Sequence, residues 1–199
     1  MCTRWLLLVV TTLALQGCLG VGSVWTGAML VYDRHHVYKK VDDYNLGAKV
    51  NRALFADDVL RTEGCGIDVA VFNRQVLLTG HVPSLKLRDE ADARVKNIPG
   101  IIKLYNQIAV ARKPDNTIQD SWITAKVRSQ MMQDAEINPK AFKIVTSDNI
   151  VYLMGNVEPH QAERVIIITQ KTDGVRRVVN LMHYYKLTKP KTKYKKSLR

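Results

Sequence analysis

An internal duplication constrains the fold of this chain more than any other feature of its sequence. Three pairs of segments repeat in the same order: LGAKVNRAL at 46–54 with ITAKVRSQM at 123–131, VLLTGHV at 76–82 with VYLMGNV at 151–157, and PGIIKLYNQI at 99–108 with DGVRRVVNLM at 173–182. The offset between partners falls only from 77 to 75 to 74 residues. Self-similarity at a nearly fixed spacing indicates two copies of one structural unit of about 65 residues.

Each copy predicts the same series of elements. The first segment is helical, since Leu46, Val50 and Leu54 recur every four residues and the second copy keeps the same spacing. Two strands joined by a short polar turn follow, and the second strand is predicted to end at Gly80 or Gly155. A second helix, a glycine turn and a last strand complete the unit. The fold class is therefore α+β: two tandem αββαβ domains, each with a three-stranded mixed sheet and two helices on one face.

The predicted organisation of the chain follows from these copies and from the polar, proline-containing segment between them. It comprises a signal peptide at 1–17, a lipidated N-terminus and tether at 18–43, domain 1 at 44–111, a linker at 112–119, domain 2 at 120–187 and a basic tail at 188–199. Of the three cysteines only Cys65 lies within a copy, so no disulfide inside the domains is expected.

The N-terminus has the parts of a secretory signal. Arg4 precedes an apolar run at 5–15, which is shorter than the roughly 20 residues that a membrane-spanning helix needs. The segment LQGC at 15–18 resembles the bacterial lipobox. That resemblance implies that the Cys18 thiol carries a diacylglyceryl group, that the signal is cut before it, and that the new amino group is acylated. The alternative is an uncut N-terminal anchor with an incidental cysteine.

The charge of the chain favours an anionic partner. The formal net charge is +12 at pH 7, and Lys186–Arg199 contributes seven basic residues and no acidic one. For an exported lipoprotein the natural anionic partner is phospholipid, and no nucleic acid is expected. Each basic residue near an acidic membrane adds about 1 kcal/mol of attraction.

The two copies resemble the BON domain. The residues that carry the resemblance are the V-x-L-x-G-x-V pattern at 76–82 and 151–157, with Gly100 and Asn106 in the first copy and Gly174 and Asn180 in the second. A lipobox followed by two such copies is similar to the dual BON-domain outer-membrane lipoproteins of Gram-negative bacteria. The resemblance implies a lipid-anchored periplasmic protein at the outer membrane that binds anionic phospholipids, namely phosphatidylglycerol and cardiolipin. It also implies support of outer-membrane integrity, with division sites as one place of action. Leu19 after the lipobox cysteine agrees with outer-membrane sorting, because inner-membrane retention uses Asp there.

The first helix of domain 2 is the predicted place of lipid contact. Aligning the two copies sets Trp122 opposite Asn45, so the fold itself does not require an aromatic residue at this position. The helix is expected to begin at Asp120 or Ser121, since either is a good N-cap. Trp122 would then lie in the first turn, at the rim of the core or outside it. In the resemblance, this same helix is the lipid-contacting element.

An exposed tryptophan at a helix start suits a membrane interface, with its ring at the level of the headgroups. Lys126 and Ser129 are expected on the same face as Trp122, and Arg128 flanks it more loosely. The alternative is that Trp122 packs against domain 1 or against Ile118. A protein-interaction scaffold, for example for the outer-membrane protein assembly machinery, is the alternative function, since tryptophan is also common at protein hot spots.

The sequence contains no catalytic grouping. None of the five histidines has metal-ligand spacing with cysteines or carboxylates, and the phosphate-loop, dinucleotide and nucleophile-elbow motifs are absent. We therefore expect a binding module rather than an enzyme, with no catalytic residue, no metal and no cofactor.

Overall fold

A computed structural model describes residues 34–111 and 117–185 of the chain, with side chains from residue 41 onward. The predicted signal peptide, Cys18 and the basic tail lie outside these residues, as do residues 112–116 of the predicted linker. By its internal contacts the chain divides into residues 1–42 and residues 43–199, and both repeat copies lie in the second unit.

Domain 1 consists of two helices and one mixed sheet. Its elements are α1 (Arg34–Leu54), β1 (Gly66–Phe72), β2 (Gln75–Val82), α2 (Leu85–Val95), β3 (Lys103–Asn106) and β4 (Ala109–Val110), with a 3-10 turn at Val59–Arg61. β1 is antiparallel to β2, whereas β3 and β4 both pair with β2 in parallel. The predicted third strand is thus divided in two. The side-chain oxygen of Asn106 accepts a hydrogen bond from the Ile108 backbone N–H at 3.2 Å where the division occurs.

Domain 2 repeats this arrangement with an unbroken third strand. Its elements are α3 (Thr117–Gln133), β5 (Phe142–Ser147), β6 (Ile150–Val157), α4 (Pro159–Lys171) and β7 (Arg177–Tyr184), with a 3-10 turn at Pro139–Ala141. β5 is antiparallel and β7 parallel to the central strand β6. The predicted α+β fold, with the element order αββαβ in each domain, is confirmed.

The central strands continue past the glycines at which they were predicted to end. That prediction is wrong, since β2 continues to Val82 and β6 to Val157. Gly80 has a φ of +97°, and a Cβ at this position would lie 1.9 Å from the carbonyl oxygen of Gly66 on the neighbouring strand. Gly80 is therefore needed for the close approach of β1 to β2.

Local sequence sets the start of the second helix in each domain. Ser84 precedes α2, and its hydroxyl accepts a hydrogen bond from the Leu87 N–H at 3.4 Å, as an N-cap does. Pro159 opens α4, where its missing N–H is not needed and its fixed φ suits a helix.

Each domain has its own apolar core between its helices and one face of its sheet. The cores are formed by the apolar residues that recur every four positions in the first helix and by alternate residues of the central strand. In domain 1 these are Leu46, Val50, Leu54, Val76 and Leu78. In domain 2 they are Ile123, Val127, Met131, Val151 and Leu153.

The remaining faces of the two sheets pack against each other. A third buried apolar cluster contains Ala70 and Leu77 of domain 1 with Ile150, Tyr152 and Met154 of domain 2. β2 and β6 are buried along almost their whole length because helices cover one face and the other sheet covers the second. On this second face of β2, the side-chain oxygens of Gln75 and Thr79 are buried without a hydrogen-bond partner among the described residues.

Candidate membrane-contact site

The helix that carries the predicted contact, α3, begins earlier than expected. It starts at Thr117, so the prediction that Asp120 or Ser121 caps it is wrong, and Trp122 lies in its second turn. Asp120 is buried and bonded to the turn between β5 and β6. Its Oδ2 accepts from the Asp148 N–H and its Oδ1 from the Asn149 N–H, both at 2.8 Å. The carboxylate therefore ties the helix to the hairpin turn.

Domain 1 contains the same carboxylate clamp. Asp43 Oδ2 accepts from the Asn73 N–H and Oδ1 from the Arg74 N–H, again at 2.8 Å. The two central residues of each turn have positive φ, between 49° and 62°, as in the type I′ hairpin turn. Residues other than glycine adopt this conformation at a cost, which the clamp offsets. Sequence interpretation missed the clamp, although Asp43 and Asp120 are separated by the same 77 residues as the helices around them.

Trp122 lies on the side of α3 away from the core, and 61% of its surface is exposed. The Lys126 ammonium lies 5.7 Å from the centroid of the indole ring, within the range of a cation–π contact. An exposed aromatic ring and a positive charge are thus neighbours on one turn of helix. The degree of exposure also argues against the alternative that Trp122 packs into domain 1.

Two apolar residues that the sequence interpretation did not assign to the site extend this side of α3. Ile118 is 89% exposed and Met132 is 74% exposed. From Ile118 to Met132 the helix rises about 21 Å. Viewed along the helix axis, both residues lie within about 80° of Trp122. We call Ile118, Trp122, Ser129 and Met132 the Trp122 face. The sequence could have indicated this face, because these residues recur at helical spacing on the side opposite the core residues. The predicted helix began at Asp120 or Ser121, however, and so left Ile118 outside it.

The other two predicted contact residues lie in different places. Ser129 is exposed and belongs to the Trp122 face. Arg128 is also exposed, but it lies about 120° around the helix from Trp122 and lines a cleft instead. The structure therefore places Lys126 at the Trp122 ring and Ser129 farther along the same face, and it sets Arg128 apart.

The cleft beside Arg128 has a volume of about 640 Å³ and is lined by both domains. The domain 2 wall comes from one flank of α3 and from the β5–β6 turn, where Ser147 and Asp148 lie. The domain 1 wall includes Gly66 and His81, which pair with each other where β1 begins and β2 nears its end. The β5–β6 turn of domain 2 thus lies across the cleft from one end of the domain 1 sheet. The Asn73–Arg74 turn is at the opposite end of that sheet.

An ion pair fixes the other end of α3. Arg164 of α4 donates from Nε to Asp134, the residue that follows the helix, at 2.9 Å, and a second guanidinium nitrogen lies 3.1 Å from Glu136. The hydrogen bond from Arg164 lowers the pKa of the Asp134 carboxyl below its ordinary value of 3.8. With the clamp at Asp120, α3 is held at both ends while the Trp122 face stays exposed.

Neither a metal centre nor a membrane-spanning helix occurs in the described part of the chain. No three of its His, Cys, Asp and Glu side chains are grouped so that they could hold a metal ion. Within residues 34–111 and 117–185 no helix has the length and apolarity needed to cross a bilayer. Cys18, the predicted lipidation site, lies outside the described residues.

Comparison with known proteins matches both repeat copies to one family. The family described as "BON domain" matches residues 42–112 and 119–185. The chain is 31% identical to "Outer membrane lipoprotein DolP" of Haemophilus influenzae, over 87% of this chain and 91% of that protein. It is 29% identical to the "21 kDa hemolysin" of Actinobacillus pleuropneumoniae, over 73% of this chain and 75% of that one. It is 26% identical to the "Osmotically-inducible protein Y" of Escherichia coli, over 70% and 71% of the two chains.

Proposed function

This chain belongs to the BON domain family and carries two copies of the domain, and from this premise we propose that it is a lipid-anchored phospholipid-binding module. In this proposal domain 2 recognises the anionic phospholipids phosphatidylglycerol and cardiolipin, and the protein supports the integrity of the outer membrane. The chain acts by binding, through α3, and carries out no reaction.

The chain is an outer-membrane lipoprotein, as the sequence predicted, since it is similar to an outer membrane lipoprotein along most of both chains. For the point of attachment we propose Cys18, the last residue of the lipobox-like LQGC segment. A diacylglyceryl group and an acyl chain there would hold the protein on the membrane, because each buried CH₂ contributes about 0.8 kcal/mol.

The exposed Trp122 beside Lys126 is the observation that carries the proposal. An indole ring is most stable at the boundary between headgroups and acyl chains, where its apolar body is buried and its N–H stays hydrated. Lys126 lies at the ring and would meet the phosphate of an anionic headgroup. Ile118 and Met132 widen the apolar strip, so that α3 would lie along the membrane surface with about 21 Å of its length in contact.

The proposal is tested by co-sedimentation of residues 19–199 with vesicles of phosphatidylglycerol and with neutral phosphatidylcholine vesicles. This fragment keeps all three apolar clusters, whose buried residues lie between Leu46 and Met182. The test variant is Trp122→Glu. The matched control is Ile167→Glu, which changes an exposed apolar residue on the other helix of domain 2.

We expect selective binding to phosphatidylglycerol by the parent and by Ile167→Glu, and much weaker binding by Trp122→Glu. Raising the salt from about 0.1 M to about 1 M shortens the screening length from about 10 Å to about 3 Å, which should weaken binding without abolishing it. Equal binding by the parent and by Trp122→Glu would refute the lipid role of this face. It would favour the alternative, in which Trp122 is the hot spot of a protein interface.

A further inference from the structure

Domain 1 exposes a second set of apolar residues at one end of its sheet. Tyr44 of α1 is 78% exposed, and Ile102, just before β3, is 66% exposed. Both are tied to Arg74 of the hairpin turn. The Arg74 N–H bonds to Asp43, next to Tyr44, and the Arg74 carbonyl accepts from the Ile102 N–H at 2.9 Å. Tyr44 and Ile102 therefore flank the same turn.

The duplication shows that the fold does not require apolar residues at these two positions. Domain 2 has Ser121 where domain 1 has Tyr44, and Arg176 where domain 1 has Ile102. Both domain 2 residues are exposed, and Arg176 makes the same backbone bond to its turn, at 2.8 Å to Asn149. The fold that the two domains share thus does not require Tyr44 and Ile102 in domain 1, just as it does not require Trp122 in domain 2.

Basic residues accompany these apolar ones. Arg74 is exposed, and its Nε is bonded to the Gly100 carbonyl at 2.8 Å. Lys103 follows Ile102 and is also exposed. The negative charge of Asp43 is engaged by the two turn N–H groups. We call Tyr44, Arg74, Ile102 and Lys103 the Tyr44 patch. It combines an amphipathic aromatic ring, an aliphatic side chain and two cations, which is the composition that suits an anionic membrane interface.

The Tyr44 patch and the Trp122 face lie at different ends of the folded unit. The patch is at the Asn73–Arg74 turn, where β2 begins. The N-terminal half of α3 lies across the cleft from His81, near the other end of β2. The strand between Gln75 and His81 is about 20 Å long. α1 covers the outer face of the domain 1 sheet and α3 the outer face of the domain 2 sheet, so that the two packed sheets lie between these helices. One flat bilayer in contact with the Trp122 face would therefore leave the Tyr44 patch free.

We propose that the Tyr44 patch is a second lipid-contacting surface, so that one mature chain can hold two anionic bilayers together. The proposal rests on the proposed function for its ligand class, since it assigns the same kind of lipid to both ends. It goes further in giving domain 1 a contact of its own and the chain a bridging activity that a single contact could not provide.

The test is clustering of phosphatidylglycerol vesicles by residues 19–199, followed by dynamic light scattering, with co-sedimentation measured on the same samples. The variant is Tyr44→Ser combined with Ile102→Ser, which changes no charge and places at position 44 the residue that domain 2 already has. The control is Leu85→Ser, which changes an exposed apolar residue at the start of α2, just beyond the far end of β2 in the same domain. Trp122→Glu is run beside them.

We expect the parent and Leu85→Ser to cluster vesicles. The double variant should cluster them about tenfold less, because burial of an isoleucine-sized side chain contributes a factor of this order. Its co-sedimentation should remain close to that of the parent, since the Trp122 face is intact. Trp122→Glu should also fail to cluster.

Two results would overturn the inference and leave the proposed function standing: a parent that sediments with vesicles without clustering them, or a double variant that clusters as the parent does. A parent that dimerises without vesicles, and loses the dimer in the double variant, would assign the Tyr44 patch to a protein contact instead. Failure of the proposed function has a separate signature, which is undiminished sedimentation of Trp122→Glu.

Discussion

Replacing Asp120 by asparagine tests whether the carboxylate clamp holds α3 in place. The carboxylate accepts two backbone N–H groups at 2.8 Å from a turn whose central residues both have positive φ. The amide of Asp120→Asn keeps one acceptor and sets an NH₂ group against the other N–H. A hydrogen bond to a charged group contributes about 1.5–3 kcal/mol, so the variant should lose about 2 kcal/mol of stability.

A loss of that size is large for a domain of this length. For a domain of 60–100 residues, 1 kcal/mol corresponds to roughly 4–8 °C of melting temperature, so unfolding of domain 2 should shift down by about 8–16 °C. Differential scanning calorimetry of residues 19–199 measures the shift. Asp43→Asn should have the same effect on domain 1. The control is Asp58→Asn, whose side chain is almost fully exposed in the parent, and its free energy of unfolding should stay within about 0.5 kcal/mol of the parent value. If Asp120→Asn and Asp58→Asn had the same melting temperature, the stabilising role of the clamp would be refuted.

Two further outcomes are expected. Gly80→Ala should prevent domain 1 from folding, because the new Cβ would lie 1.9 Å from a backbone oxygen, and the loss of its dispersed NMR signals would show this. The control Gly155→Ala should fold, since its Cβ would lie 3.0 Å from the nearest backbone oxygen and its φ is not positive. A folded Gly80→Ala domain would contradict the geometry. Arg164→Gln should raise the pKa of Asp134 toward 3.8 in a carboxyl NMR titration. Because the pKa of Asp134 is lowered in the folded state, its pair with Arg164 stabilises the fold above pH 3.8. This stabilisation is lost as the pH falls through the folded-state pKa. The stability of Arg164→Gln should therefore depend less on pH below about pH 4.

The sequence predicted the elements that depend on local periodicity. Leu46, Val50 and Leu54 recur every four residues and are all in the core, and the domain 2 helix shows the same agreement. The exposure of Trp122 also followed from the sequence, because Asn45 occupies the same place in the other copy. Such inferences need only neighbours on one helix or a comparison of the two copies.

Features that depend on distant contacts were not predicted. Asp120 was interpreted as a cap because its partners lie 28 and 29 residues away, and no local pattern marks a bond across that distance. The pairing of the two sheets was also missed. The continuous apolar run of β6 does indicate burial on both faces, but it does not say what covers the second one.

The two copies differ at the face where their sheets meet. At the face where they meet, domain 1 presents Gln75 and Thr79 at the positions where domain 2 presents Ile150 and Met154. The contact between the sheets is therefore asymmetric, with two polar side chains in domain 1 where domain 2 has apolar ones. Recombination between the repeats, a common accident of duplicated genes, would leave one hybrid copy with this face uncovered in water. Such a shortened chain would expose this apolar face and would be prone to aggregate.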